Sequence, residues 1–151
     1  MYNYEREMER FEHFINHHPI WILATGSQND ISASSMSILY HDAKIYFQTD
    51  YNFEKTKHIL ANPHVALCCA NYKLKGIAKI LGSTIDKKNE LLMKYYQKAH
   101  PDSFRRYSNR EKSCLVEVTL ESMKIWDYLN GEPFITDVNF VQRTESTIKY
   151  R

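Results

Sequence analysis

The chain predicts a mainly β fold, an antiparallel barrel, closed or partly split, with helices at its periphery. About seven or eight runs have strand length and strand chemistry. Most of the connections between them are short enough for antiparallel pairing. The three helical segments do not alternate regularly with the strands, which disfavours a doubly wound parallel sheet.

The elements follow in order. Tyr4 to Asn16 places Met8, Phe11, Phe14 and Ile15 at helical spacing, and Pro19 ends that helix. Ile20 to Thr25 is a continuous apolar run, and Gln28-Asn29-Asp30 turns it into a second strand, Ile31 to Tyr40. His41-Asp42 leads into the strand Lys44 to Thr49. Phe53, Thr56, Ile59 and Leu60 share one face of the next helix, which Asn62-Pro63 stops. Val65 to Ala70 and Ile77 to Asp86 form a further strand pair. Leu91, Leu92, Tyr95 and Ala99 mark a third helix closed by Pro101, with Phe104 and Tyr107 anchoring a short helical turn. Cys114 to Leu120 alternates as a strand, and Lys124 to Tyr128 with Phe134 to Phe140 makes a hairpin around Asn130-Gly131. Residues 1–140 thus form one domain. The polar stretch 141–151 is expected to be a tail, mobile or ordered only against a partner subunit.

Length and composition fit that picture. A chain of 151 residues suits a single domain and can bury about two thirds of its unfolded surface. A net charge of +2 argues against nucleic acid or an anionic membrane as the main partner. No apolar run approaches a bilayer span, and MYNYEREMER is unlike a signal peptide, so a cytoplasmic location is expected. Cys68 and Cys69 are strand neighbours pointing to opposite faces, and with Cys114 they read as reduced thiols. His13, His17 and His18 lack the acidic residue of the zinc hydrolase motif, so a solvated or capping role is expected and no metal site. The four glycines form neither a dinucleotide fingerprint nor a P-loop, so a phosphate site must use a helix end and side chains.

Two neighbouring stretches carry the functional signal. In IYFQTDYNFEKTKHILANPHV, Asn52 can cap the helix, and Lys55 stands where the helix macrodipole disfavours a cation. A cation there makes sense beside an external anion, and free N–H groups, dipole and ammonium together suit a phosphate; a solvated surface lysine is the competing local reading. In ISASSMSI, Ser32, Ala33, Ser34, Ser35 and Ser37 keep the strand surface low enough for a flat ring to lie on it, the competing reading being a polar edge strand packed under the first helix. A barrel this small is filled by its own side chains, so such a ligand must sit outside. A second subunit is then needed to cover it, and eleven tyrosines, seven phenylalanines and two tryptophans supply material for that interface.

With these residues in view, the chain resembles the pyridoxamine 5′-phosphate oxidase-like family, the FMN-binding split barrels. The match runs from about Phe14 to Phe140. It is strongest in FQTDYNFEKTKHILANPHVAL and includes Gly82 in the fifth predicted strand and the late Trp126. The resemblance implies FMN as cofactor and a homodimer with the flavin at its interface. Lys55 would hold the phosphate with Asn52 beside it, and Gln48 and Thr49 would contact the flavin. Ser35, Met36 and Ser37 would line the ring, and Trp126 would approach from the partner subunit. Two departures stand out. Glu54 replaces the arginine that precedes the phosphate lysine in true pyridoxamine phosphate oxidases, where a carboxylate is repulsive unless it turns away. Ile135 and Asp137 stand where those oxidases carry substrate-phosphate groups, so that substrate is not expected. The pattern is similar to the general-stress-protein or nitroimidazole-reductase-like branch.

The expected activity is flavin-dependent oxidoreduction of an unidentified small molecule. The alternative is a non-catalytic flavin or haem binder, with His58 or His64 as axial ligand candidates. Nucleic-acid binding through Lys55, Lys57, Lys73, Lys75 and the Arg105-Arg106 pair is disfavoured, because acids balance the scattered bases.

Overall fold

A computed structural model describes residues 3–151. The amphipathic helix α1 (Asn3–Asn16) leads into nine strands: β1 (Ile20–Ser27), β2 (Asp30–Ser37), β3 (Leu39–His41), β4 (Lys44–Asp50), β5 (His64–Cys69), β6 (Tyr72–Ser83), β7 (Ser113–Leu129), β8 (Glu132–Asn139) and β9 (Thr144–Lys149). Helix α2 (Glu54–Ala61) bridges β4 and β5, while α3 (Glu90–Ala99) and α4 (Pro101–Tyr107) lie between β6 and β7. No helix among the described residues is long and apolar enough to cross a membrane.

The sheet runs β2-β1-β5-β6-β7-β4-β3, antiparallel at each pairing. Its two end strands are one stretch of chain interrupted only at Ile38, so the sheet closes on itself. Two bonds secure the break: Ile38 N–H donates to the Pro19 carbonyl at 2.9 Å, and His100 Nε2 bonds the Ile38 carbonyl at 2.7 Å. The β2–β3 run thus serves both ends of the main sheet, whereas β9, off this path, pairs only with β8 among the described residues and keeps a free edge. The interior is packed with Trp21, Leu23, Phe47, Leu74, Val116 and Ile125, all essentially inaccessible, and Phe11 of α1 covers them. A smaller cluster of Tyr46, Met93, Tyr96 and Leu115 fixes α3 against the outside of β4 and β7.

Several expectations need correction. The two predicted strands Cys114 to Leu120 and Lys124 to Tyr128 are one strand, β7, because its first half pairs with β4 and its second half with β8 while β6 runs along both. Pairing on both sides overrides the polar Glu121-Ser122 interruption. The expected tail is also structured: β9 pairs with β8 from Asn139↔Thr144 to Phe134↔Lys149 within one chain. Its weak patterning follows from exposure, since only Glu145 in β9 is even half-buried. Ile31 to Tyr40 divides into β2 and β3 at the closure point. The short turn at Phe104 and Tyr107 is a helix, α4, started by Pro101 at its first position. Helix α2 buries Thr56, His58 and Ile59, whereas the predicted face members Phe53 and Leu60 are exposed. The Asn130-Gly131 hairpin is as expected, both residues having positive φ (54° and 79°).

Of the four glycines, Gly76 leaves the least room for a side chain. A Cβ there would lie 2.5 Å from the Thr119 carbonyl oxygen and 2.8 Å from Val118 Cγ1, at a register shift between β6 and β7. Gly76→Ala must push these strands apart and should cost about 1–3 kcal/mol. A urea titration checks this as a lower midpoint at an unchanged slope.

Candidate functional site

Beside the closure point, β2, β4, the start of α2 and the α4–β7 connection enclose a cavity of about 340 Å³. Ser35, Met36, Ser37, Gln48, Thr49 and Lys55 line it, so six of the eight sequence-predicted residues share one surface. Small side chains on β2 keep that wall low, as the serine run implies. The larger depression, about 770 Å³, lies on the β6–β9 face among Lys73, Lys75, Lys124, Asp137 and Glu145. Its Lys124 and Asp137 satisfy each other at 2.7 Å, and it lacks aromatic walls, so the smaller cavity is the better ligand site.

Lys55 enters the cavity from the first turn of α2. It is half-buried, and desolvation lowers its pKa from the ordinary lysine value. No carboxylate pairs with it among the described residues: its Nζ lies 3.5 Å from Met36 Sδ and 5.4 Å from the centre of the Phe53 ring. An ammonium resting on a thioether and a ring has no strong acceptor.

Glu54, next in sequence, turns away from this cavity. Its carboxyl meets Asp30 and His58, and the three groups place ligand atoms within 4.8 Å of one another. Asp30 pushes the Glu54 carboxyl above the usual range, while His58 holds Asp30 below it. His58 is buried, with Nδ1 bonded to the Thr25 hydroxyl and Nε2 to Asp30 Oδ2, each at 2.9 Å. This cluster ties α2 to the β1–β2 turn. Spacing within α2 brings Glu54 and His58 together, but nothing local in the sequence pointed to Asp30.

Gln48 and Thr49 line the cavity, but their polar atoms are largely committed to the protein. Gln48 Nε2 donates to the Ser103 carbonyl and hydroxyl, both at 3.1 Å, and its Oε1 accepts from the Ser108 hydroxyl. Gln48 therefore holds α4 against the barrel. Thr56 donates to Thr49 Oγ1 at 3.2 Å and to the Asp50 carbonyl at 2.6 Å, anchoring α2 to the end of β4.

Two predicted residues fall outside. Asn52 does not cap α2: the capping position is Phe53, with no side-chain bond, and Asn52 is exposed. Asn52 lies one residue before the capping position, in a turn where its N–H donates to Asp50 Oδ1 at 2.7 Å. Trp126 sits on β7 against Tyr150, ring centres 5.2 Å apart, away from the cavity lining of its own chain. Conversely, sequence reading missed Tyr96, Ser103, Tyr107 and Arg110 of the α3–β7 segment, which close the cavity's far side. The sequence of this segment predicts a helix and a helical turn anchored by Phe104 and Tyr107, and nothing in its spacing links these residues to the cavity.

His17 and His18 take the expected capping role, each Nδ1 bonding a carbonyl of α1 (His13 and Phe14) at 2.7 Å. The cysteines are free, Cys114 fully buried with its thiol pushed up to about 11.

Solved structures with the same fold are numerous, and three illustrate its range. A pyridoxamine 5′-phosphate oxidase-related, FMN-binding protein from Nostoc punctiforme is 12% identical, with a TM-score of 0.61 over 100% of this chain and 98% of that one. A NimC/NimA family protein from Clostridium acetobutylicum is 16% identical, with a TM-score of 0.58 over 97% and 94%. HutZ, the haem storage protein of Vibrio cholerae, is 10% identical, with a TM-score of 0.67 over 78% and 92%. Identities this low speak for the fold alone. No curated protein matches the chain. The sequence profile of pyridoxamine 5′-phosphate oxidase matches residues 8–127, most of the barrel, and the chain belongs to that family.

Proposed function

We propose that this protein binds FMN in the cavity between β2, β4 and α2 and acts as a flavin-dependent oxidoreductase on a small molecule. The observation that carries the reading is Lys55, a half-buried ammonium without a carboxylate partner among the described residues, at a helix start beside a low serine wall. A phosphate would relieve its desolvation, and the wall of Ser35, Met36 and Ser37 would accept a flat ring. Bound flavin supplies the redox chemistry; the protein supplies binding, orientation and exclusion of water. The turned-away Glu54 removes the electrostatic objection raised by its position.

The cavity is at the low end of the roughly 300–1,000 Å³ typical of ligand sites, so one protomer would enclose only part of the flavin. A second copy of the chain is the proposed cover. Ile20 and Ile22 are exposed on β1, opposite Ser37 and Ser35 of β2, which makes the apolar face continuous with the cavity wall. Trp126 would approach from such a partner. A cytoplasmic setting completes the reading and suits three free cysteines.

Haem binding is the second reading, and the fold shared with HutZ is what favours it. This chain's own histidines favour it less. His58 has both ring nitrogens engaged, and His64 is exposed at the start of β5, outside the cavity lining. An absorbance spectrum of the purified protein separates flavin bands from a Soret band.

Lys55→Ala should weaken FMN binding by about 1.5–3 kcal/mol, roughly ten- to a hundredfold, with the fold intact. Titration calorimetry beside circular dichroism measures both, and unchanged affinity would place the phosphate elsewhere. The lowered pKa of Lys55 sets a pH dependence. In the free protein the ammonium loses its proton earlier than an ordinary lysine as pH rises, and the phosphate draws it back. FMN affinity should therefore fall with rising alkaline pH, with proton uptake on binding, and Lys55→Ala should flatten the profile. Ile22→Asp puts a charge into the proposed seam; sedimentation should then show monomers and weaker FMN binding, whereas an unaltered assembly would move the interface elsewhere.

A further inference from the structure

The cavity holds a second cation, and its placement is informative. Arg110 lines the same surface from the α4–β7 connection and makes no ion pair with any described residue. Its guanidinium rests 5.6 Å from the centre of the Tyr107 ring, another cavity residue. The only carboxylate in the lining is Asp50, and it is already bonded to the Asn52 N–H.

The connection carrying Arg110 is fastened to the end of β4. The Arg110 carbonyl accepts the Ser113 N–H at 3.1 Å, Ser113 pairs with Asp50, and the Tyr51 N–H donates to the Lys112 carbonyl at 2.9 Å. The Ser113 hydroxyl donates to the Tyr107 carbonyl at 2.5 Å, closing the turn beneath the aromatic ring. Helix α2 begins four residues after Asp50, so the same strand end positions both Lys55 and the base of the Arg110 turn. Lys55 and Arg110, the latter solvent-exposed, line one cavity from two separate elements, and an anion bound there would be attracted by both charges. A planar guanidinium is suited to bidentate hydrogen bonding with a phosphate, which a lysine alone cannot provide.

We propose that Arg110 is the second cation of a phosphate clamp whose first is Lys55, so that this cavity selects a phosphomonoester over the uncharged parent ring compound. The inference rests on the reading of the cavity as the flavin site and adds a residue from a separate segment of the chain. Tyr107 positions the guanidinium from below, and Gln48, by holding α4 to the barrel, fixes where the turn emerges.

The test compares FMN with riboflavin on the full chain by titration calorimetry, using Arg110→Ala, Arg110→Gln and Arg110→Lys, with thermal midpoints as folding controls. Arg110→Ala should weaken FMN about ten- to a hundredfold and leave riboflavin affinity unchanged. Arg110→Lys should recover part of the loss, and the salt dependence of FMN binding should become shallower in Arg110→Ala and Arg110→Gln. Unchanged FMN affinity in Arg110→Ala, with Lys55→Ala still impaired, would overturn the clamp and leave Lys55 as the sole cation. Equal losses for FMN and riboflavin would also overturn it, since Arg110 would then act by holding its turn. Indifference of FMN binding to both Lys55→Ala and Arg110→Ala would instead remove the flavin reading of the cavity, and the clamp with it.

Discussion

A closed barrel with a filled interior is the constraint from which the rest of this structure follows. Trp21, Phe47 and Ile125 occupy the space where a larger barrel would hold a ligand, and α1 seals one opening with Phe11. Chemistry therefore has to be assembled on the outside, from strand surfaces and whatever packs against them. The closure point supplies the location. At Ile38 the chain passes from one end of the sheet to the other, and His100 and Pro19 bind the backbone there. Ser35, Met36 and Ser37 immediately precede this junction, so the low serine wall is held by the same bonds that shut the barrel.

The cavity depends on residues that face it but bind protein rather than ligand. Gln48 spends its amide on Ser103 and Ser108, and the Tyr96 hydroxyl lies 3.0 Å from Ser103 Oγ. Removing one partner from such a buried network leaves polar groups unsatisfied, at about 1–3 kcal/mol for each. No residue of helix α4 is fully buried, so it stays in place through this network and through half-buried Phe104, which packs against the cluster of Tyr46, Met93, Tyr96 and Leu115. Core, network, helix and cavity wall form one mechanical chain, with Gln48 as the link between barrel and site.

How much of this was legible in the sequence depends on where each signal resides. The β1–β2 hairpin, the Asn130-Gly131 turn and the serine run that forms the cavity wall from Ser35 to Ser37 are local, and local chemistry revealed them. The place of Lys55 in the first turn of α2 was legible for the same reason, since a cation there runs against the helix macrodipole. The continuity of β7 was not, because pairing with β4, β6 and β8 is decided by segments far apart in sequence. Asn52 failed as a cap because the helix starts at Glu54, which makes Phe53 the capping residue and leaves Asn52 one position too early. The far wall of the cavity was hidden for a different reason. Tyr107 and Arg110 reach it only after α4 folds back onto Gln48, a contact spanning 55 residues to Ser103.

Glu54 shows how a sequence position can mislead about charge. Read linearly, it places a carboxylate next to the lysine proposed to hold a phosphate and suggests a weakened anion site. In three dimensions consecutive helical residues diverge by about 100°, so Glu54 and Lys55 address different surroundings. Glu54 joins Asp30 and His58, where its carboxyl is pushed upward by a neighbouring acid rather than by Lys55. Lys55 is shifted by desolvation alone. The two perturbations have separate causes, and neither group is among the causes of the other's shift. An acid that occupies itself with a histidine and a turn leaves the ammonium uncompensated, and a half-buried ammonium facing a cavity favours an anion whatever stands beside it in the chain.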